Sequence, residues 1–274
     1  MEIPFVKVQG NGNDFILIDE MKGILIPNEM KGQFARLFCD RRFGIGGDGV
    51  LLLMPSESCD VRMRIIQPDE SEAEMCGNGI RCLVRYAYEA GYVGEECKVE
   101  TPAGIINVKT LPDTYENEYM FRINMTEPAF EREKIPATGS GEYIEDLFGY
   151  TIYGVNTGVP HTVVFVDDVD AVDVEGIAPR IRNHESFPEG VNVNFVEKNS
   201  KNSLKIRTFE RGVEGETLSC GTGATASAAV ARKLGMIEDS TEVETLGGKL
   251  IIDFNKDVTL EGGARIVFFG EIRA

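Results

Sequence analysis

Cys76-Gly77-Asn78-Gly79 returns further along the chain as Cys220-Gly221-Thr222-Gly223, and the two copies keep step well beyond the motif itself. Glu72 and Glu216 stand four residues ahead of the cysteines. Gly91 and Gly235 follow fifteen residues after them, Glu100-Thr101 and Glu244-Thr245 twenty-four after, and Gly104 and Gly248 twenty-eight after. One Cys-Gly-x-Gly carries little information. Two in the same positional frame read as a duplicated unit that presents two thiols to one place.

Each copy opens a helix. After Cys76, the residues Ile80, Leu83, Val84 and Ala87 fall at helical spacing, and Gly91 supplies the C-terminal stop. After Cys220 comes Ala224–Ala231, small or apolar throughout, with no charge before Arg232. A helix without a polar face is buried all round. Met30–Cys39 is a further helix candidate. The rest is strand-rich. Phe15–Ile18, Val50–Met54, Val61–Ile66, Ile105–Val108 and Met120–Ile123 read as strands of the first half. Val163–Val166, Val193–Val196, Leu204–Phe209, Leu250–Phe254 and Arg265–Phe269 read as strands of the second. A short buried helix among many strands predicts an α+β fold with a helix inside a curled sheet. Leu111–Glu118, polar and holding Pro112, reads as the linker between the halves. The division is then residues 1–117 and 118–263, with 264–274 returning to the first half.

Composition narrows the function. A chain of 274 residues suits two domains, and 42% hydrophobic residues supply a core. A net charge of −17 argues against nucleic acid, whose phosphates need a basic patch, and against anionic membranes. No apolar run reaches the roughly 18 residues of a membrane span, and the N-terminus carries no secretory pattern. The expected location is the cytoplasm, with reduced thiols. The six cysteines form no CxxC pair, so no metal site is expected. Cys39, Cys59, Cys82 and Cys97 read as small buried hydrophobes.

The two remaining cysteines sit where a helix begins. Free N–H groups and the helix dipole make that end a seat for an anion such as a carboxylate, and Gly-x-Gly allows close approach. The same field favours thiolate. Two such ends, each with a sulfur, suit inversion of a carbon next to a carboxylate. One group takes the α-proton from one face and the other delivers a proton to the opposite face. The helix N–H groups stabilise the charge that develops. No cofactor is needed. A phosphate cradle is the ordinary alternative for a Gly-rich turn, but neither turn has the Lys-Ser/Thr of a P-loop or the full GxGxxG.

Further motifs join these two: Gly10-Asn11-Gly12-Asn13-Asp14-Phe15, Gly44-Ile45-Gly46-Gly47-Asp48-Gly49, Pro160-His161, Glu210-Arg211-Gly212, and the extended Glu74–Cys82 and Gly215–Gly223 segments. With them the chain resembles, nearly end to end, the diaminopimelate epimerases, cofactor-independent members of the proline racemase-like family. The resemblance implies two pseudo-symmetric domains, each a β-barrel around a central helix. It implies Cys76 and Cys220 as catalytic, with His161 and Glu210 supporting them, His161 by orienting or tuning Cys76. It implies a backbone cradle for the reacting carboxylate from Gly77, Asn78, Gly221 and Thr222, and substrate contacts from Asn13, Asn192 and Arg211. It also implies a homodimer acting on a small amino acid, interconverting LL- and meso-diaminopimelate.

Gly49, Gln67 and Val159 stand where the family pattern has a glutamine and two asparagines. The two asparagines help hold the distal end of the substrate. Gln67 keeps hydrogen-bonding capacity as a substrate contact; Val159 does not. A racemase of another amino acid, such as histidine, is therefore a competing reading. A thiol hydrolase built on Cys76 and His161 leaves Cys220 without a role, and a non-catalytic carboxylate binder predicts no proton exchange. His184 is expected at the surface and Asp14 in a structural role. Paired thiols also predict inactivation by oxidation, reversed by a reductant.

Overall fold

The computed structural model describes residues 2–115 and 118–273. The chain forms two compact units, Met1–Ile123 with Glu261–Ala274, and Asn124–Leu260.

In the first unit, β1 (Glu2–Gly10) turns into β2 (Asn13–Asp19) through Asn11-Gly12, both at positive φ (51° and 80°). Asn-Gly is the favoured chemistry for a two-residue hairpin because both central residues must be left-handed. α1 (Lys31–Phe38) then carries the chain to β3 (Gly49–Met54), parallel to β2. β4 (Val61–Ile66) pairs antiparallel with β3 and with the short β5 (Glu72–Ala73). α2 (Gly77–Glu89) crosses over to β6 (Glu96–Thr101), parallel to β4. β7 (Gly104–Tyr115) and β8 (Glu118–Asn124) follow as antiparallel strands.

The second unit repeats this plan. β9 (Ile144–Leu147), β10 (Tyr150–Asn156) and β11 (Pro160–Phe165) are antiparallel neighbours. α3 (Val174–Arg182) leads to β12 (Asn192–Ser200), parallel to β11, and β13 (Ser203–Glu210) pairs with β12 and β14 (Gly215–Thr217). α4 (Gly221–Lys233) crosses over to β15 (Ser240–Thr245), parallel to β13 and paired with β16 (Gly248–Asp253). The last strand, β17 (Thr259–Arg273), runs antiparallel to β1 from Glu2↔Arg273 to Gln9↔Arg265 and also pairs with β8. In the first unit the order β17-β1-β2-β3-β4-β6-β7-β8 therefore closes on itself.

α2 lies against β1, β2, β3 and β4, and α4 against β10, β11, β12, β13, β15 and β16. This is the predicted helix within a curled sheet, once in each unit. α4 is buried at every position from Gly223 to Ala231, as its composition requires. α2 goes further than its apolar stripe suggests, because Arg81 and Arg85 are buried as well. Arg81 is wholly inaccessible and donates to Asn11 Oδ1 (2.7 Å), Asn78 Oδ1 (2.9 Å) and the carbonyls of Gly77 and Gly263 (both 3.2 Å). A buried guanidinium is tolerated when its donors are used in this way. Arg85 pairs with Glu89 and lies 4.0 Å over the Tyr119 ring.

One sequence expectation changes, and two of the elements left unread have a clear physical reason. The described backbone of Leu111–Glu118 belongs to β7 and β8 rather than to a linker; residues 116 and 117 lie outside the described residues. Polar strand ends and a linker share one composition, so the two cannot be told apart by residue type. β1 escaped notice because Pro4 argues against a strand. Pro4 faces Glu271 on β17, while pairing with β2 begins only at Val6, so no second neighbour asks for the missing N–H. α3 was hidden by Pro179 within it; Asp173 caps its start by accepting from Gly176 N–H at 3.1 Å.

Among the described residues no helix is long and apolar enough to cross a membrane, and no group of His, Cys, Asp and Glu side chains is arranged to hold a metal ion.

Candidate active site

Both cysteines are helix N-caps with extended backbone: Cys76 at φ −146°, ψ 117°, and Cys220 at φ −122°, ψ 110°. The turns they open are tight by construction. A Cβ on Gly77 would sit 3.3 Å from Ile123 Cδ1, and one on Gly221 would sit 3.2 Å from Leu260 Cδ1. Bare backbone at these positions lets an anion approach the N-terminal end of each helix closely.

In the first unit, Cys76 Sγ accepts from Gly79 N–H at 3.4 Å and donates to Asn13 Oδ1 at 3.5 Å. Asn13 stands at the start of β2, just past the hairpin. Its Oδ1 also accepts from Asn78 Nδ2 (3.3 Å), and its Nδ2 donates to Asp48 Oδ2 (2.6 Å). Asp48 is fixed in turn by Arg41 at 2.7 Å. Asp14 is the structural residue expected: Lys7 (2.5 Å) and Arg41 (2.6 Å) pair with it. Burial works against its charge, but the hydrogen bonds from Arg41 and Lys7 outweigh that and hold its carboxyl below the usual range. Gln67 lies half-buried in the turn after β4, where its Oε1 accepts from Ser71 Oγ at 2.8 Å.

In the second unit, Cys220 is 7% exposed and its Sγ lies 3.4 Å from Thr222 Oγ1. Burial, then the Glu210 carboxylate beside it, pushes the thiol well above its ordinary value, while the Thr222 hydroxyl pulls the other way. Glu210 ends β13 and accepts from Thr217 Oγ1 of β14. His161, on β11, is fully buried; its Nε2 lies 3.0 Å from Thr222 Oγ1 and its Nδ1 3.1 Å from Asn194 Nδ2. Sequence reasoning attached His161 to Cys76; within its own unit it is linked through Thr222 to Cys220. Asn192, expected to touch substrate, is 5% exposed and ties β11 to the next loop, with Oδ1 accepting from Arg211 N–H (2.8 Å) and Nδ2 donating to Pro160 O (2.9 Å). Arg211 is held by the carbonyls of Glu189 (3.0 Å) and Gly190 (3.3 Å). Val159 is exposed at the turn before His161. His184 is half-buried rather than at the surface, with Nδ1 on Ser186 Oγ.

Sequence reasoning missed Asp48, Asn194 and Thr208. Asn194 was open to discovery: Asn192 and Asn194 are two residues apart in an apolar strand and so share a face. Two amides on the same face of such a strand signal a buried polar network. Of the remaining cysteines, Cys39, Cys82 and Cys97 are the buried packing residues expected, whereas Cys59 is only half-buried. Burial pushes the Cys39 and Cys97 thiols up to about 12 and raises Cys82 further, so none of these three carries thiolate at neutral pH.

Burial, with a smaller contribution from Arg211, lowers the His161 pKa to about 3, against 6.5 for a free imidazole. The folded group therefore binds fewer protons than the unfolded one between about pH 3 and 6.5. Its stabilising effect is complete above 6.5 and is lost as pH falls through that window. Acidification from pH 7 to 5 is expected to cost about 2 kcal/mol through this residue. Chemical denaturation of wild type and His161→Gln at both pH values checks this. An equal pH effect in the two proteins rules the attribution out.

Solved structures share this architecture. A phenazine biosynthesis protein of the PhzF family from Bacillus anthracis aligns over 100% of both chains with a TM-score of 0.72 at 17% identity. A probable proline racemase from Agrobacterium radiobacter aligns over 99% of this chain and 93% of its own with a TM-score of 0.65, also at 17% identity. At that identity the likeness defines the fold: two pseudo-symmetric α+β units of the PhzF and proline racemase type. Sequence carries the assignment further. The model of the diaminopimelate epimerase family matches residues 5–130 and 153–267, and the chain belongs to that family. The diaminopimelate epimerase of Methanothrix thermoacetophila is 54% identical over 99% of this chain and 96% of its own length. That of Methanocella arvoryzae is 52% identical over 99% and 97%.

Proposed function

We propose that this chain is a cofactor-independent isomerase that interconverts LL- and meso-diaminopimelate, a step of lysine and cell-wall precursor synthesis, with Cys76 and Cys220 as the two proton-transferring groups. The observation that carries this reading is the matched pair of cysteine N-caps, each opening a helix on a glycine turn, in a chain of this family. In one direction a thiolate removes the α-proton and the other thiol protonates the opposite face; in the reverse direction the roles exchange. Cys220 rests as the thiol, because burial and Glu210 oppose its ionisation. The helix N–H groups of Gly77, Asn78, Gly221 and Thr222 hold the reacting carboxylate and stabilise the charge that develops on it. His161 stays neutral and acts as a hydrogen-bond partner rather than a proton carrier. Asn13, Gln67, Asn192 and Arg211 belong to substrate binding, Asn192 by fixing the Arg211 backbone. The six cysteines are free thiols, in keeping with a cytoplasmic setting.

The test is deuterium uptake at the α-carbon of LL-diaminopimelate in D₂O, run beside a panel of monocarboxylic L-amino acids. Diaminopimelate is expected to exchange and invert fastest. Faster turnover of a monocarboxylic substrate overturns the assignment.

The reading extends to a homodimer. Val267, Phe268 and Phe269 are consecutive on β17 and exposed at 54%, 46% and 65%. Large apolar side chains left this exposed together on one strand are a candidate association surface. Light scattering is expected to give twice the chain mass for wild type and the single-chain mass for Phe269→Glu. A monomeric wild type ends this part of the proposal.

A further inference from the structure

Behind Cys220 the second unit carries a row of polar side chains in an otherwise apolar interior. Thr208 on β13 faces Asn194 on β12 directly across the sheet, and both are buried. Thr208 Oγ1 donates to Asn194 Oδ1 at 3.0 Å. Asn194 Nδ2 donates to Thr162 O at 2.8 Å and lies 3.1 Å from His161 Nδ1. The amide has one orientation that works. Flipped, its oxygen would face the Thr162 carbonyl, acceptor against acceptor. Asn194 is held tightly as well: a Cβ on Gly223, in the first turn of α4, would lie 2.4 Å from its Oδ1.

The proton positions along the row follow from this orientation. Asn194 Nδ2 can only donate, so His161 Nδ1 accepts and bears no hydrogen. The ring is buried and neutral, so its proton is on Nε2, 3.0 Å from Thr222 Oγ1. The Thr222 hydroxyl accepts there, which leaves its own hydrogen for the sulfur of Cys220 at 3.4 Å. The thiol hydrogen in turn is directed to the Glu210 carboxylate.

We propose that Asn194 is a positioning residue: it fixes His161 as the Nε2–H tautomer and so makes the Thr222 hydroxyl a constant donor to Cys220, in a one-way chain Asn194→His161→Thr222→Cys220→Glu210. The chain serves the proton-transfer role assigned above to Cys220 and rests on that reading for its purpose. Its geometry stands without it. When Cys220 gives up its proton, the sulfur becomes an anion beside a carboxylate in a buried site. The one hydrogen bond that the tautomer guarantees is the one that this anion needs. With the other tautomer, Nε2 would draw in the Thr222 hydrogen and turn a lone pair toward the sulfur. The titratable and charged groups facing this row in the unit are Glu210 and Arg211, together with Cys220 and His161 themselves.

Two measurements on the substrate-free protein test the chain apart from any epimerase activity. Ring ¹⁵N NMR, with His184→Gln to remove the only other histidine, is expected to report Nε2–H for His161 from pH 5 to 8. Asn194→Asp, an acceptor facing Nδ1, is expected to switch it to Nδ1–H. Second, alkylation of Cys220 by iodoacetamide, followed by peptide mass mapping, reads its thiolate fraction. Thr222→Val is expected to slow it roughly tenfold at fixed pH, the loss of one hydrogen bond to a charged group. Thr222→Ser is expected to restore it to within about twofold. Nδ1–H or an imidazolium in the wild type overturns the proposal, as does unchanged alkylation in Thr222→Val. If Asn194→Asp fails to fold, the Thr222 pair and the wild-type spectrum still decide. Intact chemistry here with no exchange of diaminopimelate would remove the functional reading and leave the chain standing.

Discussion

Cys76→Ala and Cys220→Ala are each expected to lose at least a thousandfold in inversion of diaminopimelate, and the double variant to be no worse than either. A positioned acid or base contributes about 10²–10⁴-fold. Here one turnover needs both, since the group that takes the proton cannot return it to the opposite face. Removing either thiol stops the same event, so the losses do not add. Each single variant keeps one sulfur, which can still exchange a proton on its own face. The measurement is therefore two-fold: deuterium at the α-carbon, and the LL to meso ratio by chromatography. Exchange with retention in one diastereomer is the expected residue of activity in the single variants. Inversion above about 1% of wild type in either alanine variant would dismiss the two-thiol mechanism. Serine in place of either cysteine recovers little, because a hydroxyl is far harder to ionise than a thiol.

The cysteine helices were legible because several independent signals coincide there. Spacing, glycine stops and cap chemistry all point to α2 and α4, and both helices form at the positions the repeat sets. The repeat reaches down to single bonds: Thr101 Oγ1 donates to Gly104 O at 2.8 Å, and Thr245 Oγ1 to Gly248 O at 2.7 Å. Gly104 and Gly248 both adopt positive φ, at 122° and 134°, which explains why both copies need glycine there. What stayed hidden depends on partners far away in sequence. Pro4 is harmless only because β2 stops short of it. Arg81 is buried only because Asn11, Asn78 and Gly263 converge on it. Asn194 gains its meaning from Thr208 and His161, one across the sheet and one on the neighbouring strand. No local pattern encodes such meetings.

Glu20→Gln is expected to destabilise the first unit by about 3–5 kcal/mol. Glu20 and Lys31 form a salt bridge of 2.7 Å with side chains 0% and 2% exposed. Glu20 Oε1 also accepts from the N–H groups of Leu25 and Ile26, both at 3.0 Å, and Lys31 Nζ donates to Ile26 O at 2.8 Å. The pair thus closes the loop between β2 and α1 and satisfies its backbone. Its net worth against apolar residues is modest, since both ions have left water. Breaking one side is another matter, because it strands a buried ammonium without its counter-charge. Thermal melts are expected to fall by on the order of 10 °C. Glu20→Gln with Lys31→Met is expected to recover part of the loss, the remainder being hydrogen bonds to Leu25 and Ile26. A change below about 1 kcal/mol in the single variant would show the pair to be solvated in practice.

The return of the chain at Glu261 has a consequence for synthesis. Of these strands β1 leaves the ribosome first, and its full-length neighbour β17 last. At ~5–20 residues per second, the opening strand waits on the order of ten seconds to a minute with one edge uncovered. The middle of the sequence, Asn124–Leu260, is complete before that wait ends. A nascent chain stalled before Glu261 is therefore expected to expose its amino-terminal half to proteases and chaperones while the central segment is already fully made.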